Sequence, residues 1–553
     1  MPNRVLKESY SPSADFYKSD LILHNYLKNN LSETALKYFH PKLDKLGEEA
    51  AGRMNVLSLL ADKNGPELIK RDPFGETLNE IRFHPAYWEL MQIAVESEMM
   101  RVKWEPELRK KFTAERHRLG FSAGFLYGMS EMGIYCPLCM TDGAARIIDL
   151  YCTEEDKKRI LPHIATDNPE EFYTGAMFLT EKAGGSDVGA NLVKATHYKD
   201  NYYHLNGEKW FCSNANADII MVLARTDENI QGTKGLSLFM VEKKLPDCKK
   251  NPIEFIRLKD KLGVRSMASA ECMLTNTVGK LVGKETEGFK IMAEMMNLSR
   301  LYNSVAAVSV ARRAIVESYE FLCNRMIFGK TAIEHALIRT KLQELAALYN
   351  ANFYMLWRTI KALDNADNGN EKEAALLRLL VPMIKKWSSE SGVYIVRESM
   401  ELMGGIGYIE DQVIPKLMRD VMVLPIWEGA GNIMILDMLR ALYKSDGFLV
   451  MCEEIKSSVA NHKKYEKQVH EELNELIILS EKLSTLDKDT MEASARLFFE
   501  RLTRLYSCTT MLISLNDESS NWIIPSLEYY LGKKEVINDP VSVNTVKNML
   551  AWV

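Results

Sequence analysis

The sequence predicts an α+β fold that is mainly α-helical, and three observations predict it. From about Leu21 to Pro169 the apolar residues recur at helical spacing among good helix formers, as in HPAYWELMQIAVESEMMRVKW. Near Glu171 the texture changes to short runs rich in Tyr, Phe, Val and Thr, broken by Asn-Gly and Gly-Gly, and this lasts to about Val282. The helical period then returns in EGFKIMAEMMNLSRLYNSVAAVSVARRAIVESYEFLCNRM and dominates to about Tyr443. Helices, then strands, then helices is a segregated order, unlike an alternating βαβ chain. No G-x-G-x-x-G leads a strand into a helix, so any nucleotide must be held by another device.

A chain of 553 residues is too long for one core. The expected division is a helical domain over 1–170, a β domain over 171–282, a helical bundle over 283–445 and an extra helical domain over 446–553. In the first domain RDPFGET and MGIYCPLCMTDGAAR read as loops. In the third, the small residues of SVAAVSVARRA let helices approach closely. KSDGF is the linker into the fourth. Apolar content of 46% and charged content of 26% are those of an ordinary soluble chain. A net charge of -5 makes no electrostatic case for nucleic acid. Nine scattered cysteines suit reduced thiols. The opening MPNRVLKESYSPSADFYKSD lacks a signal-peptide apolar run, no stretch is long enough to span a bilayer, and AWV is not a peroxisomal address. The expectation is a cytoplasmic protein.

Five segments carry candidate chemistry. In FLTEKAGGSDVGAN, Gly184 and Gly185 let the backbone turn with its N–H groups exposed, and Thr180 and Ser186 add hydroxyls. Such a loop can cradle a pyrophosphate, and it can equally be a plain glycine-rich hairpin. In NGEKWFCSNAN, Asn206-Gly207 signals a hairpin, and Trp210, Phe211 and Ser213 set aromatic rings and a hydroxyl just beyond it. The rings suit a planar cofactor or simple core filling. RMIFGK places Arg325 at a helix end, where it serves the helix dipole or a phosphate. ELMGGIGY has three glycines in four positions, more than one helix stop requires. LPIWEGAGNI holds a single carboxylate, Glu428, beside Ile426 and Trp427 and ahead of a helix expected to begin near Gly431. The helix dipole explains an acid there but not apolar neighbours. An apolar enclosure raises a carboxylate pKa towards neutrality, which a general base for a carbon acid needs. Cys136 and Cys139 in CPLC form a lone C-x-x-C, and the ten histidines have no ligand spacing, so no metal site is expected.

In their order and spacing, TEKAGGSDV, NGEKWFCSNANAD, KDKLGVRSMAS, RMIFGK, GGIGY and IWEGAGNI resemble the acyl-CoA dehydrogenase superfamily of flavoproteins over roughly Arg71 to Leu442. RDPFGETLNEIRFHPAYWELMQ, CPLCMT and PIWEGAGNIMILDMLR are similar to its AidB branch, the alkylation-response proteins. The resemblance implies a helical domain, a β-barrel-like middle domain and a helical bundle, assembled as a homotetramer with FAD at subunit contacts. It implies backbone contacts to the flavin from Met177 and Leu179, hydroxyl contacts from Thr180 and Ser186, and Phe211 and Ser213 beside the isoalloxazine. Arg325 and Phe328 would hold a neighbouring subunit's FAD, with Gly404 and Gly405 against it. Glu401, Trp427 and Asn432 are assigned to the same cofactor. Ala430 stands where dehydrogenases usually carry Thr, Asn432 where they carry Gln, and Glu401 where many relatives carry Gln.

Glu428 matches the family's catalytic base, and Arg300 matches a position near the substrate, with helix pairing as its structural alternative. The implied reaction is α,β-dehydrogenation of an acyl-CoA. Water exclusion strengthens the base, and the Glu428 backbone N–H together with a flavin hydroxyl acidifies the thioester. An electron-transferring flavoprotein is the implied acceptor. The rival readings are a DNA-associated, alkylation-protective flavoprotein with vestigial dehydrogenation, an acyl-CoA oxidase, and an acyl-binding protein whose flavin is structural. DNA binding by the tail is set against a slight excess of Asp and Glu beyond Tyr443, with NHKKYEK its densest basic patch. A bundle partner or oligomer cap is the preferred reading of that segment.

Overall fold

The structure, a computed structural model, describes residues 15–532 and 540–553. The reading of the first residues as a non-signal segment therefore lies mostly outside the described residues. The chain forms two compact units, one of Met54–Lys111 and Glu131–Tyr302, the other of Met1–Arg53, Phe112–Ser130 and Asn303–Val553.

The first of these contains a hairpin, β1 (Glu67–Arg71) and β2 (Thr77–Arg82), short helices, and a seven-stranded sheet. The sheet comprises β3 (Gly175–Phe178), β4 (Lys194–Lys199), β5 (Tyr202–Ser213), β6 (Ile219–Arg225), β7 (Leu236–Glu242), β8 (Ile253–Leu258) and β9 (Ser269–Val282). β6 pairs with β7, β7 with β9, β9 with β5 and β5 with β4, and a Lys194–Arg225 bridge returns β4 to β6. The ladder thus closes on itself, which gives the barrel-like form, with β3 and β8 as flanking strands off the ring. Inside it Phe178, Leu205, Ile220, Val222, Phe239, Val241 and Leu274 make one buried core. The strand texture ends at Val282 as the composition indicates.

Three local expectations need correction. Asn206-Gly207 is not a hairpin turn: β5 runs through it, and the turn lies at Asp200-Asn201. Gly207 adopts φ +137° at a register shift against β9, and the Asn206 side chain accepts the Asn276 N–H at 2.8 Å, so the dipeptide builds a β-bulge. RDPFGET is a loop, but the flanking residues are strands of a two-stranded ribbon rather than helix. CPLC is not in a loop. It lies in the first turns of the helix Tyr135–Tyr151, where Cys139 is buried and Cys136 partly so. A proline in a first turn sacrifices no intrahelical bond, so Pro137 does not stop this helix.

The second unit is helical. The long helices Ala336–Asp367 and Glu371–Met403 are joined by a three-residue connection, and the Asn370 side chain caps the second by accepting the Glu373 N–H at 3.1 Å. The helices Gly447–Ser458, Lys488–Ile513, Ser520–Leu531 and Val543–Leu550 pack onto this pair, and Lys463–Ser484 packs on Lys488–Ile513. Trp522 Nε1 donates to the Tyr354 hydroxyl at 2.7 Å and Asn350 Nδ2 to the Met549 carbonyl at 3.2 Å. The last segment is therefore built into the bundle's own core. Arg312 ties three parts together: its guanidinium meets both oxygens of Asp20 at 2.9 and 3.0 Å and the carbonyl of Leu550 at 2.6 Å. Asp20 in turn caps the helix Leu21–Asn30. Both side chains of this ion pair are fully buried.

Arg312→Met should cost about 3–5 kcal/mol in urea unfolding, since it strands the Asp20 carboxylate in a dry site. The helix Val543–Leu550 should become the first target of limited proteolysis; a change below about 1 kcal/mol would show that the pair carries little.

Candidate active site

The acid of LPIWEGAGNI lies on an irregular turn between the helices Val413–Val421 and Gly431–Lys444. The helix begins at Gly431 with Ala430 at its N-cap, a residue with no side chain to cap it. The Ile426 and Trp427 N–H groups both bond the Val423 carbonyl, at 2.9 and 3.0 Å. Then Glu428 takes φ +56° and Gly429 φ +103°, two consecutive left-handed residues. Lys385, on the helix Glu371–Met403, donates to the carbonyls of Pro425 and Gly429 at 3.3 and 2.5 Å, and Asn303 Nδ2 donates to Leu424 at 3.1 Å.

Enclosure of Glu428 by Ile426 and Trp427 is only partly present in this chain. Trp427 and Glu428 are half-buried, and Ile426 is 66% exposed. The reason is the turn, which buries Leu424 and leaves Ile426 on its outer side.

The other expected residues of this unit are placed as follows. The helix Gly288–Asn324 ends before Arg325. A minimal hairpin follows, β10 (Met326–Ile327) and β11 (Lys330–Thr331), with Phe328 and Gly329 as its two-residue left-handed turn. Phe328 is 95% exposed at its tip. Gly404 ends the helix Glu371–Met403 at φ +61°, ψ −143°, a region essentially restricted to glycine. A Cβ on Gly404 or Gly405 would meet nothing within 4 Å, whereas one on Gly407 would lie 2.6 Å from the Met400 carbonyl. Packing thus explains Gly407, and open space adjoins the other two. Glu401 is an exposed partner of Arg397 at 2.6 Å. Asn432 uses its side-chain carbonyl to accept from Arg496 at 2.6 Å, so of its amide group that oxygen is already engaged.

The β unit gathers Met177, Leu179, Thr180, Ser186, Phe211 and Ser213. The Trp210 N–H donates to the Thr180 carbonyl at 2.9 Å, which joins the loop after β3 to β5. The Leu179 carbonyl accepts from Asn191 Nδ2 at 2.7 Å and from Lys209 at 3.4 Å. A Cβ on Gly184 would lie 2.1 Å from the Asp187 carbonyl, so crowding, not a left-handed backbone, requires this glycine. The partly buried Thr180 and exposed Ser186 flank the loop.

Sequence reasoning missed the residues that shape this loop, Glu181 and Lys209, which form a buried pair at 2.7 Å. The second Glu181 oxygen accepts the N–H groups of Leu192 and Val193 at 2.5 and 3.2 Å. Burial lowers the Lys209 pKa, and Glu181 opposes that shift. The available signal was an acid and a lysine inside two strand-like motifs, T-E-K and E-K-W.

Phe211 is 52% exposed. Lys259 Nζ lies 3.5 Å from the Trp210 ring centroid and 4.5 Å from that of Phe211. Ser213 Oγ is 3.1 Å from Ser269 Oγ, which accepts from Lys261 at 3.3 Å. Arg300, on the helix Gly288–Asn324, is buried and donates to Asn297 Oδ1 at 3.0 Å.

In the β unit, a half-exposed aromatic ring beside a hydroxyl-lined loop of fixed backbone suits a flavin nucleotide. Among the described residues no group of His, Cys, Asp and Glu is arranged to hold a metal ion, and no helix is long and apolar enough to cross a membrane. In the tail, Lys464 pairs with Glu528 at 2.6 Å and Lys467 lies 3.9 Å from Glu471, so two lysines of the basic patch have acidic neighbours.

Comparison with known proteins gives a consistent assignment for each segment. Residues 9–168 match the family model "Adaptive response protein AidB N-terminal domain", 176–277 match "Acyl-CoA dehydrogenase, middle domain", and 286–443 match "Acyl-CoA dehydrogenase, C-terminal domain". AidB of Escherichia coli (strain K12) is 34% identical over 418 residues, covering 74% of this chain and 75% of that protein. "Acyl-CoA dehydrogenase family member 11" of Caenorhabditis elegans is 28% identical over 91% of this chain and 84% of its own length. The crystal structure of Caenorhabditis elegans ACDH-11 in complex with C11-CoA superposes with a TM-score of 0.87 at 27% identity, over 94% of this chain and 91% of that one.

Beside the Lys259 ammonium, Glu271 has a further partner in Arg257, and these two hold its pKa down at about 2, Arg257 most strongly. A carboxylate with a folded pKa below its unfolded value near 4.3 adds stability that is complete above that value and disappears as pH falls through the folded pKa. The advantage of the wild type over Glu271→Gln in thermal midpoint should therefore be constant near pH 7 and shrink from about pH 5 to about pH 2. An advantage that stays level over that window would contradict the pairing.

Proposed function

Because the chain belongs to the acyl-CoA dehydrogenase family, we propose that it is an FAD-dependent oxidoreductase that dehydrogenates the α,β bond of an acyl-CoA, with Glu428 as the base. FAD when bound supplies the two-electron acceptor for this chemistry. Met177, Leu179, Thr180 and Ser186 hold it from the β unit, with Phe211 and Ser213 beside its ring system. Arg325, Phe328, Gly404 and Gly405 serve the cofactor of a second copy in a homotetramer. The exposure of Phe328 and the open space at the two glycines support that assignment.

The protein's own work is to place and protect a base. Glu428 removes the α-proton through its carboxylate, and its main-chain N–H donates to the thioester oxygen, which acidifies that carbon. The apolar surface of Ile426 and Trp427 is covered by the acyl chain and the rest of the assembly, so the carboxylate loses water when substrate enters. Asn432 keeps a donor for the cofactor while Arg496 holds its carbonyl. Arg300 lies on the family's substrate-side position; it is buried, and its guanidinium donates to Asn297 Oδ1 one turn back on the same helix.

The observation that carries this reading is the position of Glu428: a partly buried carboxylate on a turn fixed from the bundle interior, within the segment that matches the family's C-terminal domain. The C11-CoA bound by the Caenorhabditis elegans neighbour makes that thioester the first substrate to try. Mixed anaerobically with C11-CoA, the purified protein should lose its visible flavin absorbance. Glu428→Gln should keep the flavin and slow the bleaching by about 10²–10⁴-fold. A variant that bleaches at the wild-type rate removes Glu428 from the mechanism. Peroxide release in air would mark an oxidase instead.

A further inference from the structure

We propose that Lys385 is a positioning residue that sets the Glu428 carboxylate by clamping the two ends of the turn that bears it. The catalytic half of this inference rests on the reading of Glu428 as base; the clamping half does not.

Glu428 is not a glycine, yet it sits at φ +56° and is followed by Gly429 at φ +103°. A left-handed conformation is unfavourable for any residue with a Cβ, so this backbone relaxes unless other contacts over-determine it. Two sets of contacts act from the bundle interior. The Lys385 side chain, 0% exposed, donates to the Pro425 carbonyl at 3.3 Å and to the Gly429 carbonyl at 2.5 Å. These carbonyls lie on either side of Glu428, so one ammonium draws both flanks of the turn to a single point. Asn303 Nδ2 adds a bond to the preceding Leu424 carbonyl at 3.1 Å and to Ser389 Oγ at 2.9 Å. Ser389 Oγ itself donates to the Lys385 carbonyl at 2.6 Å, which links the two clamps on one helix.

A buried ammonium is a costly way to fill space, and an apolar side chain would pack there at no desolvation cost. Charge-assisted donors are, however, stronger than neutral ones, and one lysine supplies several from a single atom. The adjacent Lys386 has a different task, since it pairs with Glu390 at 2.6 Å. Precision at Glu428 is where such a device matters: a base displaced by about 1 Å costs roughly 10² in rate.

Lys385→Met in the full-length, flavin-loaded protein tests this. Hydrogen exchange of peptides spanning 421–432 should quicken by roughly five- to a hundred-fold, the consequence of two lost carbonyl bonds, while exchange elsewhere in the bundle stays as in the wild type. With C11-CoA, kcat should fall by about 10² with KM held, and Lys385→Met combined with Glu428→Gln should be no slower than Glu428→Gln alone. Unchanged exchange, retained turnover, or a loss that multiplies with that of Glu428→Gln each overturns the proposal. Should the methionine variant fail to fold, Lys385→Gln, which keeps donors enough for one carbonyl, should show the same changes at smaller size, and wild-type behaviour in it is equally fatal. If the wild type bleaches with no acyl-CoA, the function proposed above fails, and the exchange of 421–432 still decides the clamp.

Discussion

A glutamate in a left-handed backbone conformation, Glu428, is the constraint around which one end of this bundle is organised. Such a residue is less stable than its extended or helical alternatives by about 1–2 kcal/mol. It persists because the carbonyls on both sides of it are held from within. The helix Glu371–Met403 therefore does more than fill the bundle. From it Lys385 bonds the Pro425 and Gly429 carbonyls, and Asn303 of a second helix, which donates to Ser389 Oγ, bonds the Leu424 carbonyl; the irregular turn leaves all three without intrahelical donors. The same turn frees Ile426 and Trp427 from the regular helix face, which is how large apolar surface comes to stand beside a carboxylate. Strain, carbonyl anchoring and apolar exposure are one design: remove the anchors and the glutamate is drawn to a conformation in which its side chain leaves along a different direction.

The β unit solves a related problem by different means. An irregular loop beside a barrel must hold its backbone N–H groups in place without collapsing onto it. Glu181 fixes the start of that loop from below by accepting two N–H groups with one oxygen and Lys209 with the other. Both charges are buried, so each is tolerable only because the other is present. The arrangement favours a single geometry over maximum stability, since an apolar pair of equal volume would bury as well but would leave the Leu192 and Val193 N–H groups unpaired.

How much of this was readable follows from the range of each interaction. The strand texture to Val282 and the helix from Gly431 depend on residues close in sequence, and alternation or capping position records them. Asn206-Gly207 misled because the same dipeptide satisfies a turn or a bulge, and only the pairing of β5 with β9, some 70 residues away, selects the bulge. CPLC looked like a loop because a proline normally interrupts a helix, but near a helix start it does not. Glu428 stands out in the sequence because a single acid interrupts an apolar run. Lys385 does not, for it sits in a lysine pair on a helix where any exposed face would carry such residues, and its partners lie 40 and 44 positions further on. Exposure of Ile426 was equally hidden, since whether a turn or a helix carries a residue cannot be read from its neighbours alone.

The appendix beyond Tyr443 shows the same principle at longer range. Several of its described charges pair internally: Arg501 reaches Glu472 and Glu475, Lys464 reaches Glu528, and Arg358 of the bundle is shared between Glu373 and Glu454. One of its residues, Arg496, reaches Asn432 in the first turn of the helix that follows Glu428. That helix begins at an alanine with no capping side chain, so its first turn is intrinsically weak. A bond from the appendix to this turn supplies from outside the restraint that the missing cap does not supply from within. The physical role of the segment is then to complete the bundle around the turn of Glu428, with Lys385 restraining the turn from the core and Arg496 restraining the helix after it.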